Sequence, residues 1–393
     1  MSRILFVSPP YAGHANPQRV LLQAAEAAGY TCDHYLGGPY IDDLFRVANT
    51  SHRVGSHPWR VLAQLDASTS LLKPLQDHLR QHIAAFQPDL IVADSVAVVT
   101  APLAHEFQLP WITTIATPFA IEQSTGTPAY CGGWHPGHPL RDRLGRAAIR
   151  YFKDFAFRKF RHRFSAIGYS QRLRPDGTEV IYSPHCILGY GMTELEFPRD
   201  WPPHFEMIGP VILRGQPEPR LRSVSGLHVL VTLGTHLPWA KDKLIAEVEV
   251  LARRLDHIEF TVSLGGSPGY VERRSHNINV LRYVDYHQHL PNFDIVLHHG
   301  GAGIAYATIL AGRPHVVVPQ DYDHFDYAAR LVHHGLALAA PSIRQAHHAI
   351  LAAADLPLEH CEPFQRIAQS YQPTARFLHH VERFIGKAVA ATA

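Results

Sequence analysis

Short apolar and β-branched runs recur along the chain, each closed by a turn and followed by a longer stretch of mixed character. Ile4 to Ser8 is the first such run, ended by Pro9 and Pro10. Its continuous apolar character predicts a parallel strand buried on both faces. A loop, Tyr11 to Ala15, follows; Asn16 stands where a helix N-cap belongs and Pro17 at the first helical position. Gln18 to Ala28 then predicts a helix, stopped by Gly29, and Tyr30 to Leu36 a second strand. The alternation returns as a strand at Asp89–Ala93, a helix at Ala97–Phe107 and a strand at Trp111–Ile115. Such strand–helix–strand units belong to doubly wound α/β domains.

From Arg141 to Phe164 the pattern is helical and basic. Leu144, Ala148, Tyr151, Phe152 and Phe155 fall at helical spacing, which predicts a core-facing stripe opposite a solvated cationic face rather than a helix lying on a membrane. Six prolines between Pro198 and Pro219 mark a linker. Beyond it the α/β alternation restarts: strand His228–Leu233, helix Lys241–Leu255, strand Phe260–Leu264, a turn at Gly265–Gly269, and strands at Val280–Arg282 and Ile295–His298. A helix at Ile304–Ala311 and a strand at His315–Val318 complete it, and the chain after Pro373 predicts a last helix. The expected units are 1–214, a linker 215–226, 227–372 and a helical tail 373–393.

Composition narrows the function. A formal net charge of +2 lacks the basic excess of a nucleic-acid binder. Cys32, Cys131, Cys186 and Cys361 form no CxxC pair, which leaves zinc and redox motifs unsupported and favours a reducing compartment. Proline is reached within ten residues of Met1, too soon for a signal-peptide apolar region, and no run of 18 apolar residues occurs. The expectation is a cytoplasmic protein with no stable membrane insertion. The 29 histidines, several in pairs, show no HExxH or other ligand spacing, so no metal is expected.

The strongest local signal is Val296-Leu297-His298-His299-Gly300-Gly301-Ala302-Gly303. A strand runs into a glycine turn and then a helix, whose unpaired N–H groups and positive dipole end suit a phosphate. Ala311-Gly312-Arg313-Pro314 and Val318-Pro319-Gln320-Asp321-Tyr322-Asp323 follow. A carboxylate such as Asp323 at the mouth of the site suits sugar hydroxyls, although alone it reads rather as a turn or cap residue.

In order and spacing His299, Gly301, Gly303, Gly312, Pro314, Pro319 and Asp323 resemble the donor signature of family 1 nucleotide-sugar glycosyltransferases, the bacterial branch with its Gly-Gly-Ala-Gly turn above all. The resemblance extends over most of the chain. It implies the GT-B fold: two facing Rossmann-like doubly wound α/β domains with a C-terminal helix. It also implies that the donor diphosphate is met by His299, by backbone around Gly300, Gly301 and Gly303, and by Gly234 and Thr235. Asp323 would bind the transferred sugar, with His324 in the place of the family's glutamine. Ile304 stands where the family has Ser or Thr, and Ala307 where plant members hold the ribose with an acid; Asp285–Gln288 occupies a shortened base-stacking segment.

Gly13-His14-Ala15-Asn16-Pro17 resembles the family's Gly-His-x-x-Pro loop, whose histidine is the general base. At the carboxyl end of the first strand, before a helix start, His14 sits where open α/β folds place ligands, and the positive helix end is expected to keep its ring neutral. Asp94 matches the carboxylate that orients the base; its other reading is an N-cap.

The implied activity is inverting, metal-independent transfer from a UDP- or TDP-sugar to a small lipophilic or aromatic acceptor, most simply at oxygen, with no further cofactor and no nucleic acid. Carbon or nitrogen transfer, a sugar-nucleotide epimerase and a sugar-nucleotide-binding protein without catalysis are the alternatives. Variable loops at Gly37–Leu72 and Ile121–Leu140 are expected to shape the acceptor pocket, with Phe119, Tyr130, Trp134 and Trp59 as its aromatic lining.

Overall fold

The computed structural model describes residues 1–51, 58–215, 226–235, 240–266 and 269–391. The expected linker 215–226 falls, apart from its two ends, outside the described residues, as do Ser267 and Pro268 of the glycine turn and the side chain of Trp59.

Two sheets organise the chain. The first comprises β1 (Arg3–Val7), β2 (Thr31–Tyr35), β3 (Leu90–Asp94), β4 (Trp111–Ile115), β5 (Ile187–Gly189) and β6 (Phe205–Met207), in the order β2-β1-β3-β4-β5-β6 with every pair parallel. The second comprises β7 (His228–Thr232), β8 (Glu259–Ser263), β9 (Arg273–Ser275), β10 (Ile278–Leu281), β11 (Ile295–His298), β12 (His315–Val317) and β13 (Ala337–Ala339). Its order is β13-β12-β11-β7-β8-β10-β9, parallel except where the edge strand β9 runs antiparallel to β10. β3, β4 and β7 are buried at all five positions, as strands covered by helices on both faces must be.

Helices α1 (Ala12–Ala27), α2 (Ile41–Ser51), α3 (Pro58–Ser70), α4 (Leu72–Phe86), α5 (Thr100–Glu106), α6 (Pro139–Lys159) and α7 (Arg161–Ala166) belong to the first half. The second carries α8 (Lys241–Arg254), α9 (Tyr286–His289), α10 (Ala302–Leu310), α11 (His324–His333), α12 (His347–Ala354), α13 (Glu362–Ser370) and α14 (Pro373–Ala391). The last of these crosses back: Phe377, Val381 and Ile385 pack with Ile4, Phe6 and Leu21 in the core of the first sheet. The chain thus has two Rossmann-like α/β units and a long C-terminal helix.

Three local expectations need correcting. Helix α1 starts at Ala12, not after Asn16. Tyr11 is its N-cap residue and its carbonyl accepts from the amides of His14 (2.9 Å) and Ala15 (2.8 Å), so Pro17 lies inside the helix. Residues 37–72, expected as loop, are largely helical through α2 and α3. In α6 the apolar stripe points outward: Leu144 is 60% and Tyr151 67% exposed, while Gly145, Ala156 and Asp142 are buried. Periodicity reveals that a helix has an apolar face, not which side the fold covers.

The halves meet through buried chemistry. The Arg330 guanidinium, in α11, donates to Glu196 at 2.9 Å with both side chains 2% exposed, and lies 4.2 Å from the Phe119 ring and 4.7 Å from that of Phe197. Tyr327 donates its hydroxyl to the Ala116 carbonyl at 2.6 Å.

Candidate active site

At the carboxyl end of the first sheet, the buried Gln18 of α1 donates to Thr114 Oγ1 at 3.1 Å, anchoring the helix over β3 and β4. This holds His14, in the first turn of α1, above Asp94, the last residue of β3. His14 Nδ1 lies 3.0 Å from Asp94 Oδ1 and 3.1 Å from Oδ2. Against a carboxylate Nδ1 carries the proton, which leaves the lone pair on Nε2, the atom a base needs. Asp94 Oδ1 also accepts from Val96 N at 2.9 Å. It is not an N-cap, because the next helix starts only at Thr100 with Val99 as its N-cap residue.

Burial pulls His14 towards neutrality, but the Asp94 charge, the hydrogen bond to it and the Asp323 charge outweigh burial, and its pKa is raised. The ring was expected to be kept neutral; instead the two carboxylates raise its pKa. The smallest of these contributions, that of Asp323, comes from the second half.

On the second sheet β11 ends at His298, and His299, 6% exposed, opens the glycine turn. Gly300 has φ 90°, and a Cβ there would lie 2.7 Å from the His324 carbonyl oxygen, so this position requires glycine. Gly234 and Gly301 lie against the His299 ring: a Cβ on them would sit 2.8 Å from Cε1 and 2.5 Å from Nε2. Gly301 is the N-cap residue of α10, and around Gly303 there is open space. Thr235, in the segment after β7, is exposed. The glycine turn, His299, Gly234 and the start of α10 thus form one cluster, with the unpaired amides of a helix N-terminus at its centre.

Asp323 is the N-cap residue of α11 but its side chain makes no capping hydrogen bond. His324 stands edge-on to His299 with ring centroids 4.5 Å apart, and its Nδ1 accepts from Asp321 N at 3.1 Å. Burial lowers its pKa in spite of Asp323.

The aromatic residues expected in an acceptor pocket separate. Tyr130 lies at the boundary between the halves: its amide donates to Asp326 at 2.9 Å and its ring lies 6.5 Å from that of Tyr322. Trp134 packs on α6, where a Cβ at Gly145 would sit 2.7 Å from its ring and where Arg141 lies over it at 4.7 Å. Phe119 is only 2% exposed, packed against Tyr327 and Arg330, so it is a core residue and not lining. Ile304 and Ala307 are likewise core residues, packed with Leu230 and Val284. Among the described residues no group of three or more His, Cys, Asp or Glu is placed to hold a metal ion. No described helix is long and apolar enough to cross a membrane.

Residues 261–369 match the family model for the C-terminal domain of erythromycin biosynthesis protein CIII-like proteins. The 4'-demethylrebeccamycin synthase of Lentzea aerocolonigenes is 23% identical over 390 residues, covering 89% of this chain and 92% of that protein. The zeaxanthin glucosyltransferase of Pseudescherichia vulneris is 22% identical over 368 residues, covering 86% and 85%. The structure of the Streptomyces sp. SF2575 glycosyltransferase SsfS6, complexed with thymidine diphosphate, shares the fold with a TM-score of 0.69 at 15% identity, over 97% of this chain and 100% of that one. This chain is thus similar over most of its length to glycosyltransferases and shares their fold.

Three residues of the two clusters had no individual sequence signal, and a fourth, His298, stood out only as part of the glycine-turn motif. His298 and His315 are fully buried, 17 positions apart, with Nε2 of the first 2.8 Å from Nδ1 of the second. His298 Nδ1 accepts from Gly300 N at 3.0 Å, and burial holds both rings neutral, with the pKa of His315 down to about 3. Lys241, fully buried, donates to the Gly234 carbonyl at 2.6 Å, and burial lowers its pKa to about 8. Asp326 is pushed up to about 7 by burial. Nothing in the spacing pairs His298 with His315.

Proposed function

We propose that the protein transfers a sugar from a TDP- or UDP-sugar to the hydroxyl of a small lipophilic or aromatic acceptor, with inversion at the anomeric carbon and without a metal. The acceptor occupies the unit spanning 1–214 and the nucleotide sugar the unit spanning 227–372, joined by 215–226, with 373–393 as the tail. His14 Nε2 takes the acceptor proton as its oxygen attacks the anomeric carbon from the face opposite the diphosphate. Asp94 holds the tautomer and the charge that forms on the ring. His299, Thr235 and the amides at the start of α10 stabilise the departing diphosphate, the task a metal performs elsewhere. Asp323 and His324 hold the sugar hydroxyls.

The observation that carries this reading is the His14–Asp94 pair, with both carboxylate oxygens 3.0–3.1 Å from Nδ1. Thymidine diphosphate in the SsfS6 structure and zeaxanthin in the name of a relative support the donor class and a lipophilic acceptor. The test is incubation with TDP- and UDP-sugars and a panel of phenols and alcohols, read by nucleotide release and product mass, for the wild type and His14→Ala. A sugar-sized mass gain on an acceptor, lost in the variant, is expected. Undiminished transfer by His14→Ala would overturn the assignment of the base.

A further inference from the structure

Helix α6 is built to face two environments. Its inner side is fully engaged: Gly145 lies against Pro128 and Trp134, and Ala156 and Phe160 are buried with Leu62. Its outer side carries Leu140 (64% exposed), Leu144 (60%), Tyr151 (67%) and Phe155 (37%), with the small exposed Ala147 and Ala148 between them. At 100° per residue these positions fall on one stripe, four turns and about 22 Å long. Solvating such a stripe is unfavourable, and scattered surface apolar residues do not line up in this way.

The charges around it point to what covers it. Arg143 flanks the stripe at one end, and Arg158, Lys159 and Arg161 gather at the other, all exposed and none in an ion pair among the described residues. The other cations of the segment are already engaged: Arg150 pairs with Glu122, Lys153 with Glu179 and Arg163 with Asp66. The one outward acid, Asp154, is taken by Arg172 at 2.7 Å. In a chain whose net charge is only +2, this face concentrates four unpaired positive charges around an apolar strip. A second copy packed on it two-fold symmetrically would set cations against cations. An anionic lipid surface meets both features, with acyl chains for the stripe and phosphates for the flanks.

We propose that α6 is a peripheral docking site for an anionic phospholipid membrane, lying in the headgroup layer with Leu140, Leu144, Tyr151 and Phe155 inward. This goes beyond the transfer reaction and stands without it. Through Trp134, which packs on α6, the site adjoins the loop carrying Tyr130, so a docked helix brings the boundary between the halves to the membrane surface.

The test is co-sedimentation of the full chain with phosphatidylcholine vesicles, with and without phosphatidylglycerol, at low and high salt. The variants are Leu144→Glu/Tyr151→Glu and Arg158→Gln/Lys159→Gln, with folding checked by circular dichroism. The wild type is expected to bind the phosphatidylglycerol vesicles in a salt-sensitive way. Removing the two charges weakens partitioning about fivefold each, and the glutamates weaken it more than tenfold. Absence of binding to the anionic vesicles, or binding unchanged in the folded variants, overturns the proposal. So does a wild-type dimer in size-exclusion chromatography that Leu144→Glu/Tyr151→Glu splits, since a second copy is then the occupant.

Discussion

Replacing Asp94 by Asn keeps the shape of the site and removes one charge. The wild-type carboxylate lies 3.0 and 3.1 Å from His14 Nδ1, with its side chain wholly buried. A hydrogen bond to a charged group of this kind contributes about 1.5–3 kcal/mol. In the proposed reaction His14 becomes an imidazolium as it accepts the acceptor proton, so losing that bond alone slows turnover about 10- to 150-fold. The amide can also offer its NH2 to Nδ1, which forces the proton onto Nε2 and removes the base; with the wrong tautomer the loss reaches ~10³–10⁴-fold. The pH dependence moves as well. In the wild type burial is outweighed by Asp94 and Asp323, so the ring stays protonated above its ordinary range and turnover rises with pH through that raised value. Without the Asp94 charge burial dominates, and the acid limb of kcat/KM shifts to lower pH. The assay is initial rate against pH, by product mass, for both proteins. A rate within threefold of wild type, or an acid limb that does not move, would refute the reasoning.

Three further outcomes are expected. Asp326 has a folded pKa of about 7 against an unfolded value near 3.9, so the folded state binds more protons and stability falls as pH rises from about 4 to about 7. Asp326→Asn should therefore stabilise the protein at pH 8 by on the order of 2–4 kcal/mol and leave it unchanged at pH 3.5, measured by denaturant unfolding; an equal effect at both pH values would contradict this. Glu196→Gln leaves the buried Arg330 without its counter-charge and should cost about 3–5 kcal/mol in the same measurement, against under 1 kcal/mol if the pair contributes nothing. His298→Ala removes the acceptor for Gly300 N and loosens the turn proposed to hold the diphosphate. A loss of about 1–3 kcal/mol should appear as a roughly 5- to 150-fold rise in donor KM with kcat little changed, and an unmoved KM would count against that role.

The strands that carry the site were legible because parallel strands covered on both faces are continuous apolar runs: Ile4–Ser8, Leu90–Ala93, His228–Leu233 and Ile295–His298 announce themselves. β5 and β6, three residues each, are too short to show such a pattern. The start of α1 was misplaced because Asn16-Pro17 is a strong local start signal, while the actual start is set by Tyr11, whose hydroxyl is tied to the Leu44 carbonyl at 2.8 Å. That tie is tertiary and leaves no trace in spacing. The nearness of His14 to Asp94 could be expected only through the family resemblance, since 80 residues separate them. The His298–His315 contact and the burial of Lys241 and Phe119 depend on how neighbouring strands and helices pack, which periodicity does not encode.

The central claim is a single displacement at the anomeric carbon with His14 as base. The most direct measurement is the proton NMR anomeric coupling of the product made by the wild-type protein from an α-linked TDP-hexose of gluco configuration and a phenol acceptor. The account predicts the large coupling of a β-linked glycoside, the inverted product. An α-linked product would contradict it.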